Sequence, residues 1–379
     1  MHVLLYDDAA EYGGHEVMTV EGAKQLSRRE GVKVSFVFFE GNARLREQIS
    51  GVAGHASGIT LHPIPFRSGR MQSVATVLSP HTVRKIRETF DRIGPDMVVL
   101  AQGTIEISSL GLLAAKRNGM RTISYIPIPH TLTTMGVHLG RARDAVNRYF
   151  YALPDNFITI SEGMKQRIVS QHVSPERVRV VHNAIDVGKH PRHDRTAARS
   201  AFGLRQQEWA IGVIGRVQFR HKGQDVFIRA IAAARCELGS FKAFIVGDGP
   251  DMKSLLAMIG EAGLGDVVRF LSWSDDLSKL YCALDVVVIP SRFEGVPLVM
   301  LEAMHYELPI VASSVDGMSE FLPKSWLCVP GDGMALGQVL ASVRNSDSTD
   351  QVQRNRRLVE QVFTMERFAD EFCGAVLGT

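Results

Sequence analysis

Two carboxylates stand eight positions apart in the stretch EGVPLVMLE, Glu294 to Glu302. Apart from one glycine and one proline, every residue between them is aliphatic or methionine, and Ala303 and Met304 continue the run. A helix that apolar belongs in a core. Buried carboxylates are costly unless paired or hydrogen-bonded, so Glu302 needs a partner, and the partner need not be protein. Pro297 suits the first helical turn, where its missing N–H costs nothing. Glu294 and Gly295 then fall in the loop ahead, with Glu302 about one and a half turns in. The N–H groups of Val296, Leu298 and Val299 lie near the positive helix end without intrahelical partners. Carboxylates accept bonds from adjacent hydroxyls and amides suit phosphate. A ligand with vicinal diols on both sides of a diphosphate, such as a nucleotide-sugar, would satisfy the whole set.

Two other loops carry groups fit for the same ligand. In GRVQFRHKGQD, Gly215-Arg216 and Lys222-Gly223 follow the apolar run AIGVI. Two cations at the carboxyl end of a strand can clamp a diphosphate, Arg through its fork and Lys as a point charge. In YDDAAEYGGHE, Gly13 and Gly14 precede a helix expected to start near His15. Free amides at such an end attract phosphate, although a glycine pair is also an ordinary turn and lacks the full dinucleotide spacing. Asp7-Asp8 and the SDD at Ser274 to Asp276 do not form Asp-x-Asp metal clamps and read as loop and capping acids. No metal is expected.

These loops need strands and helices to aim them. Short β-rich runs alternate with helical stretches along all 379 residues. In the first half the strands are HVLLY, KVSFVFF, DMVVLA, TISYIP, NFITIS and VRVVHN. In the second they are AIGVIGR, FKAFIVGD, VRFLS, DVVVIP, PIVASS and WLCV. Helices are expected near 15–30, 80–94, 106–118, 140–152 and 162–172, then near 223–238, 250–262, 276–284, 297–307 and 333–345. Continuous apolar strands separated by helices mean parallel sheets covered on both faces. The chain exceeds what one core usually serves, so the fold class is α/β with two Rossmann-like doubly wound domains and a cleft between them. The first is expected over 1–185 and the second over 186–362. The polar run Val187 to Ser200 is the candidate linker. The segment FTMERFADEF is expected as a helix over 363–379, with Phe363, Phe368 and Phe372 on one buried stripe, packing back across the domain junction.

Composition narrows the class. Hydrophobic content of 45% and charged content of 22% are those of a soluble globular protein. The start has no basic n-region and long apolar core of a secretory signal, and the later apolar runs are strand length. Four scattered cysteines read as free thiols in a reducing cytoplasm. Residues 1–185 carry 22 Lys+Arg against 16 Asp+Glu, while the remainder carries 21 against 24. A basic first half suits an anionic acceptor or membrane surface, or simply a solvated face.

SRFEGVPLVMLEAMHYELPIVAS closely resembles the Glu-x7-Glu signature of retaining GT-B-fold glycosyltransferases of family 4. The resemblance extends over nearly the whole chain through GGHE, the HNAID junction at His182 to Asp186, GRVQFRHKG, VGDGP and LSWSDDL. It implies that Glu294 holds donor-sugar hydroxyls and Glu302 the ribose hydroxyls. Arg216 and Lys222 would neutralise the diphosphate, and the amides from Gly295 through Val296, Pro297 and Leu298 to Val299 would line sugar and phosphate. Trp273, Ser274 and Leu277 would lie near the base, Gly13 and Gly14 on the acceptor side, and His130, in YIPIPH, against the donor sugar. The implied reaction moves a hexose-type sugar from a UDP-sugar, or a GDP-sugar, to a hydroxyl of a glycan, lipid-linked saccharide or small molecule. It needs no cofactor and no metal, and retains the anomeric configuration. The setting would be the cytoplasm, with peripheral contact to anionic membrane on the inner face and no nucleic-acid partner. Two phrases depart from the common family wording: Val296-Pro297 replaces Phe-Gly, and HYEL at His305 to Leu308 replaces a small-Gly pattern. A sugar-nucleotide epimerase on the same fold is the nearer rival. A two-domain oxidoreductase would need a glycine fingerprint that is missing.

Overall fold

The computed structural model describes residues 1–55 and 58–378. It divides into two compact units, the first comprising Met1–Asn183 and Glu366–Thr379, the second Ala184–Met365.

The first unit holds seven strands: β1 (His2–Asp7), β2 (Lys33–Phe39), β3 (Ile59–Ile64), β4 (Met97–Ala101), β5 (Arg121–Tyr125), β6 (Asn156–Thr159) and β7 (Val178–Val180). They lie in the order β3-β2-β1-β4-β5-β6-β7, and every pairing is parallel. β4, MVVLA, is buried at every position, as a strand covered by helices on both faces must be. The chain turns from one half of the sheet to the other between β1 and β4, and the loops after those two strands open at that point.

The second unit repeats the plan with six strands: β8 (Trp209–Ile214), β9 (Phe241–Val246), β10 (Val268–Leu271), β11 (Val286–Ile289), β12 (Ile310–Ser313) and β13 (Leu327–Cys328). Their order is β10-β9-β8-β11-β12-β13, again all parallel. Here the switch lies between β8 and β11.

Two expectations need correcting. The run Val187 to Ser200, read as the linker, lies at the entry to the second unit and is part of it. It forms a short 3-10 turn, Val187–Lys189, and a helix, Arg195–Ala201, which Asp194 caps through the Ala197 N–H. Arg195 and Arg199 both reach Asp285, at 2.5 and 3.0 Å. These two arginines are paired at the N-terminal end of β11, a central strand of the second sheet. The three phenylalanines do not share one stripe. Phe363 precedes the helix Met365–Leu377 and packs on Phe321 of the second unit at 4.9 Å. Phe368 and Phe372 stack at 5.3 Å in the first unit, where Phe372 also meets Tyr125 edge-on at 6.2 Å. Among the described residues, no helix is long and apolar enough to cross a membrane.

Candidate functional site

In the second unit the loops after β8 and β11 meet at the switch point. The first carries Arg216 and ends in the short helix Phe219–Lys222; the second carries Ser291, Arg292 and Glu294. Gly223 lets them close. Its φ is +69°, and a Cβ there would stand 2.1 Å from the Pro290 carbonyl oxygen, so only glycine fits. Arg292 adds a fork to Asp225 at 2.8 and 2.7 Å, fastening the β11 loop to the helix Gln224–Ala233. The Gln224 amide donates to the Arg216 carbonyl at 2.8 Å, which holds the β8 loop in place.

These braces bring Lys222 and Glu294 together, with Nζ donating to Oε2 at 2.7 Å. Glu294 is 6% exposed. Burial by itself would raise its pKa. The charges of Lys222 and His221 and the hydrogen bonds from Lys222 and Ser291 more than offset that, and the carboxyl is held below its usual range. A small cavity of about 20 Å³ opens beside Lys222, between Gln224, Ser291, Pro297 and Val299.

Pro297 does not occupy the first helical turn. With φ −70° and ψ 141° it is the extended residue before the helix Leu298–His305; its carbonyl accepts the Met300 N–H at 2.9 Å. The fixed φ of proline serves the cap position as well as the first turn, and ψ decides between them. The amides of Leu298 and Val299 stay in the first turn, outside the intrahelical ladder. Val296 is fully buried. Glu302 has a protein partner for one oxygen: the Tyr281 hydroxyl donates to Oε2 at 2.5 Å. Burial pushes the Glu302 carboxyl up, and the Tyr281 bond opposes the shift.

Trp273, Ser274 and Leu277 follow β10 in a largely exposed loop. The Trp273 indole donates to Asp275 at 3.2 Å, the Ser274 hydroxyl to the Asp276 carbonyl at 3.0 Å, and Leu277 precedes the helix Ser278–Ala283.

In the first unit, Gly13 caps the helix Gly14–Ser27. Its N–H is not open to phosphate, because it donates to Glu16 Oε2 at 2.7 Å. The helix brings its own anion. Asp7 ends β1 rather than standing in a loop, Asp8 opens the loop that follows, and both are fully buried. Asp8 accepts bonds from Ser68, Tyr6 and Ser108. Asp7 Oδ1 accepts the Ala9 N–H at 2.9 Å. Asp7, His15 and Glu16 converge, each offering one atom within 4.8 Å of the others. Protons balance the set: burial and the Glu16 charge push the Asp7 carboxyl up to about 8. Burial would lower His15, but Glu16 and Asp7 more than offset it and raise the imidazole. His130, in the loop after β5, is 5% exposed.

Sequence reading missed Tyr281, Ser291, Gln224 and the Asp225–Arg292 brace. Tyr281 had a signal: a tyrosine in a helix packed against an apolar strand must place its hydroxyl somewhere. Asp7 had one too, as a carboxylate directly continuing HVLLY. The others had none, because their roles depend on loops distant in sequence.

Residues 12–189 match the model of Glycosyltransferase Family 4, and residues 208–345 that of Glycosyl transferases group 1. A D-inositol 3-phosphate glycosyltransferase of Mycobacterium sp. strain KMS is 33% identical over 174 residues, 43% of this chain and 38% of that relative's length. The enzyme of that name from Mycobacteroides abscessus is 28% identical over 330 residues, 81% of this chain and 70% of the relative. Among solved structures, Anabaena HepE in complex with UDP-glucose superimposes with a TM-score of 0.80 at 19% identity, covering all of both chains. WaaG, a glycosyltransferase of lipopolysaccharide biosynthesis, gives 0.75 at 16% identity, again covering both chains fully. Each half thus matches a glycosyltransferase family model, Glycosyltransferase Family 4 in the first and Glycosyl transferases group 1 in the second, on the fold of the GT-B glycosyltransferases.

Proposed function

We propose that the chain is a retaining, metal-independent glycosyltransferase. It moves a hexose-type sugar from a UDP-sugar to a hydroxyl of a glycan, lipid-linked saccharide or small molecule. The observation that carries this reading is the Lys222–Glu294 contact at the switch point of the second unit, with Glu302 eight positions on. One cation, one ionised carboxylate, two first-turn amides and a second carboxylate meet the needs of a diphosphate flanked by diols. UDP is favoured over GDP because a neighbour of the same fold holds UDP-glucose. The second unit then serves the donor and the first the acceptor.

In the reaction the bond from the anomeric carbon to the diphosphate oxygen breaks, and a bond to the acceptor oxygen forms on the same face. The acceptor proton passes to the departing phosphate. Arg216 and Lys222 stabilise the charge that grows there, which leaves no role requiring a metal or other cofactor. Glu294 is not a nucleophile; it accepts hydrogen bonds from the sugar hydroxyls.

The test is transfer from UDP-sugars to a panel of hydroxyl acceptors, with the product anomer read by NMR. We expect the donor's configuration, activity unchanged by EDTA, and a loss of about 10²–10³-fold in kcat for Glu294→Gln. An inverted product, or full activity in Glu294→Gln, would refute the reading.

The basic outer face of the helix Pro80–Ile93 supports contact with an anionic membrane surface. The helix buries Val83, Ile86 and Phe90 and carries Arg84, Lys85, Arg87 and Arg92, with Leu78 75% exposed just ahead of it.

A further inference from the structure

Besides Glu302, His305 is the one hydrogen-bonding side chain in the helix Leu298–His305, and its ring bonds the His190 carbonyl instead. The donor Glu302 does have comes from another element. Tyr281, on the helix Ser278–Ala283, is 1% exposed, and its hydroxyl reaches Glu302 Oε2 at 2.5 Å. No other donor to Glu302 is found among the described residues, so Oε1 keeps its lone pairs for a ligand.

The Tyr281 ring is itself held. It stacks on Tyr306 with centroids 5.0 Å apart and planes 5° from parallel. Tyr306 is 8% exposed, and its hydroxyl donates to the Pro191 carbonyl at 3.2 Å. The neighbouring His305 ring bonds the His190 carbonyl at 3.1 Å, and Arg192 and Arg356 both donate to the His305 carbonyl. A chain of fixed contacts thus runs from the backbone at His190-Pro191, through two stacked rings, to one oxygen of Glu302. The HYEL departure from the family's wording supplies Tyr306 and His305, the far half of this chain. Packing alone would be served by phenylalanine at 281. The hydroxyl is used only on Glu302.

We propose that Tyr281 is a positioning residue that fixes the rotation of the Glu302 carboxylate, and that this makes the site select nucleotides with an intact ribose diol. The inference rests on Glu302 being the ribose-binding carboxylate. By pinning Oε2, Tyr281 leaves Oε1 aimed at the 2′ and 3′ hydroxyls. It is also the one hydrogen bond opposing the rise in pKa that burial imposes, so it helps keep Glu302 able to accept.

The experiment is calorimetric titration of UDP and 2′,3′-dideoxy-UDP into wild type, Tyr281→Phe, Glu302→Gln and the double variant, across pH 5 to 8. Tyr281→Phe keeps the ring and the stack. We expect it to weaken UDP about tenfold and dideoxy-UDP less than about twofold, and to move the acid limb of UDP binding to higher pH. In the Glu302→Gln background the same change should have no further effect on UDP. Equal weakening of both nucleotides, an unmoved acid limb, or additive losses in the double variant would each overturn the proposal and leave Tyr281 a packing residue. If Tyr281→Phe fails to fold, a Glu302→Gln variant that still prefers UDP over the dideoxy form overturns it instead. Failure of wild type to bind either nucleotide would overturn the reading of the whole site; where wild type binds, Lys222→Ala should weaken both nucleotides alike, which separates loss of the diphosphate contact from loss of the Tyr281 effect.

Discussion

Glu294 and Lys222 act as a pair before any ligand arrives. A carboxylate 6% exposed stays ionised only with help. Lys222 at 2.7 Å gives that help and holds its own charge beside the place a diphosphate would occupy. Asp7 shows the opposite outcome. It faces Glu16 and is pushed up to about 8, with His15 the cation opposing the shift. An unfolded aspartate titrates near 4. A folded pKa above the unfolded one means the native state binds the proton more tightly. Its contribution to stability is therefore complete below about pH 4 and lost as pH rises to about 8. Asp7→Asn removes that dependence. Urea denaturation should show the variant gaining at least ~1 kcal/mol relative to wild type between pH 5 and pH 9. Parallel stability curves would show that Asp7 is ionised throughout. From sequence, the placement of Glu294, Arg216 and Lys222 in loops after strands was legible because each loop follows an unbroken apolar run. The burial of Asp7 and the closing of the Gly13 amide by Glu16 were not, since both depend on how a helix start folds back on β1.

At the scale of elements, the β8 and β11 loops work only if they close on each other, and Gly223 is where they touch. Gly223→Ala adds a Cβ 2.1 Å from the Pro290 oxygen in a left-handed backbone. The expected cost is about 2 kcal/mol or more in thermal or urea unfolding. Nucleotide affinity should fall with it, because Lys222 is the adjacent residue. Wild-type stability would mean that the two loops part more easily than their geometry suggests. Central strands such as β4 and β11 were readable because burial on both faces leaves an unbroken apolar run. β3, ITLHPI, was not. It is an edge strand with a mixed burial pattern and a proline, which an edge tolerates. The helix Thr349–Gln361 was missed for a related reason: it buries only Val352, Asn355 and Val359, too thin a stripe to stand out among nine other polar or charged residues. Pro297 was placed one position too far in, because proline's φ suits both the cap and the first turn.

For the whole molecule, the uneven charge sets the expected behaviour at a membrane. The first 185 residues carry an excess of six cations and the remainder an excess of three acids. Sedimentation with vesicles should therefore depend on anionic lipid and weaken as salt rises. Equal sedimentation with neutral vesicles would place the basic helix in solvent with no membrane role. The two-unit α/β plan was legible because each half repeats the strand–helix alternation. The fate of the polar run after Asp186 was not, because pairing of Arg195 and Arg199 with Asp285 joins positions about 90 residues apart.

The central claim is that the second unit holds a nucleoside diphosphate between Lys222, Glu294 and Glu302. The most direct measurement is calorimetric binding of UDP, GDP and ADP to wild type and to Lys222→Ala. The account predicts that UDP binds best and that the variant loses at least about tenfold in affinity. Binding of none of the three, or equal affinity in wild type and variant, would contradict it.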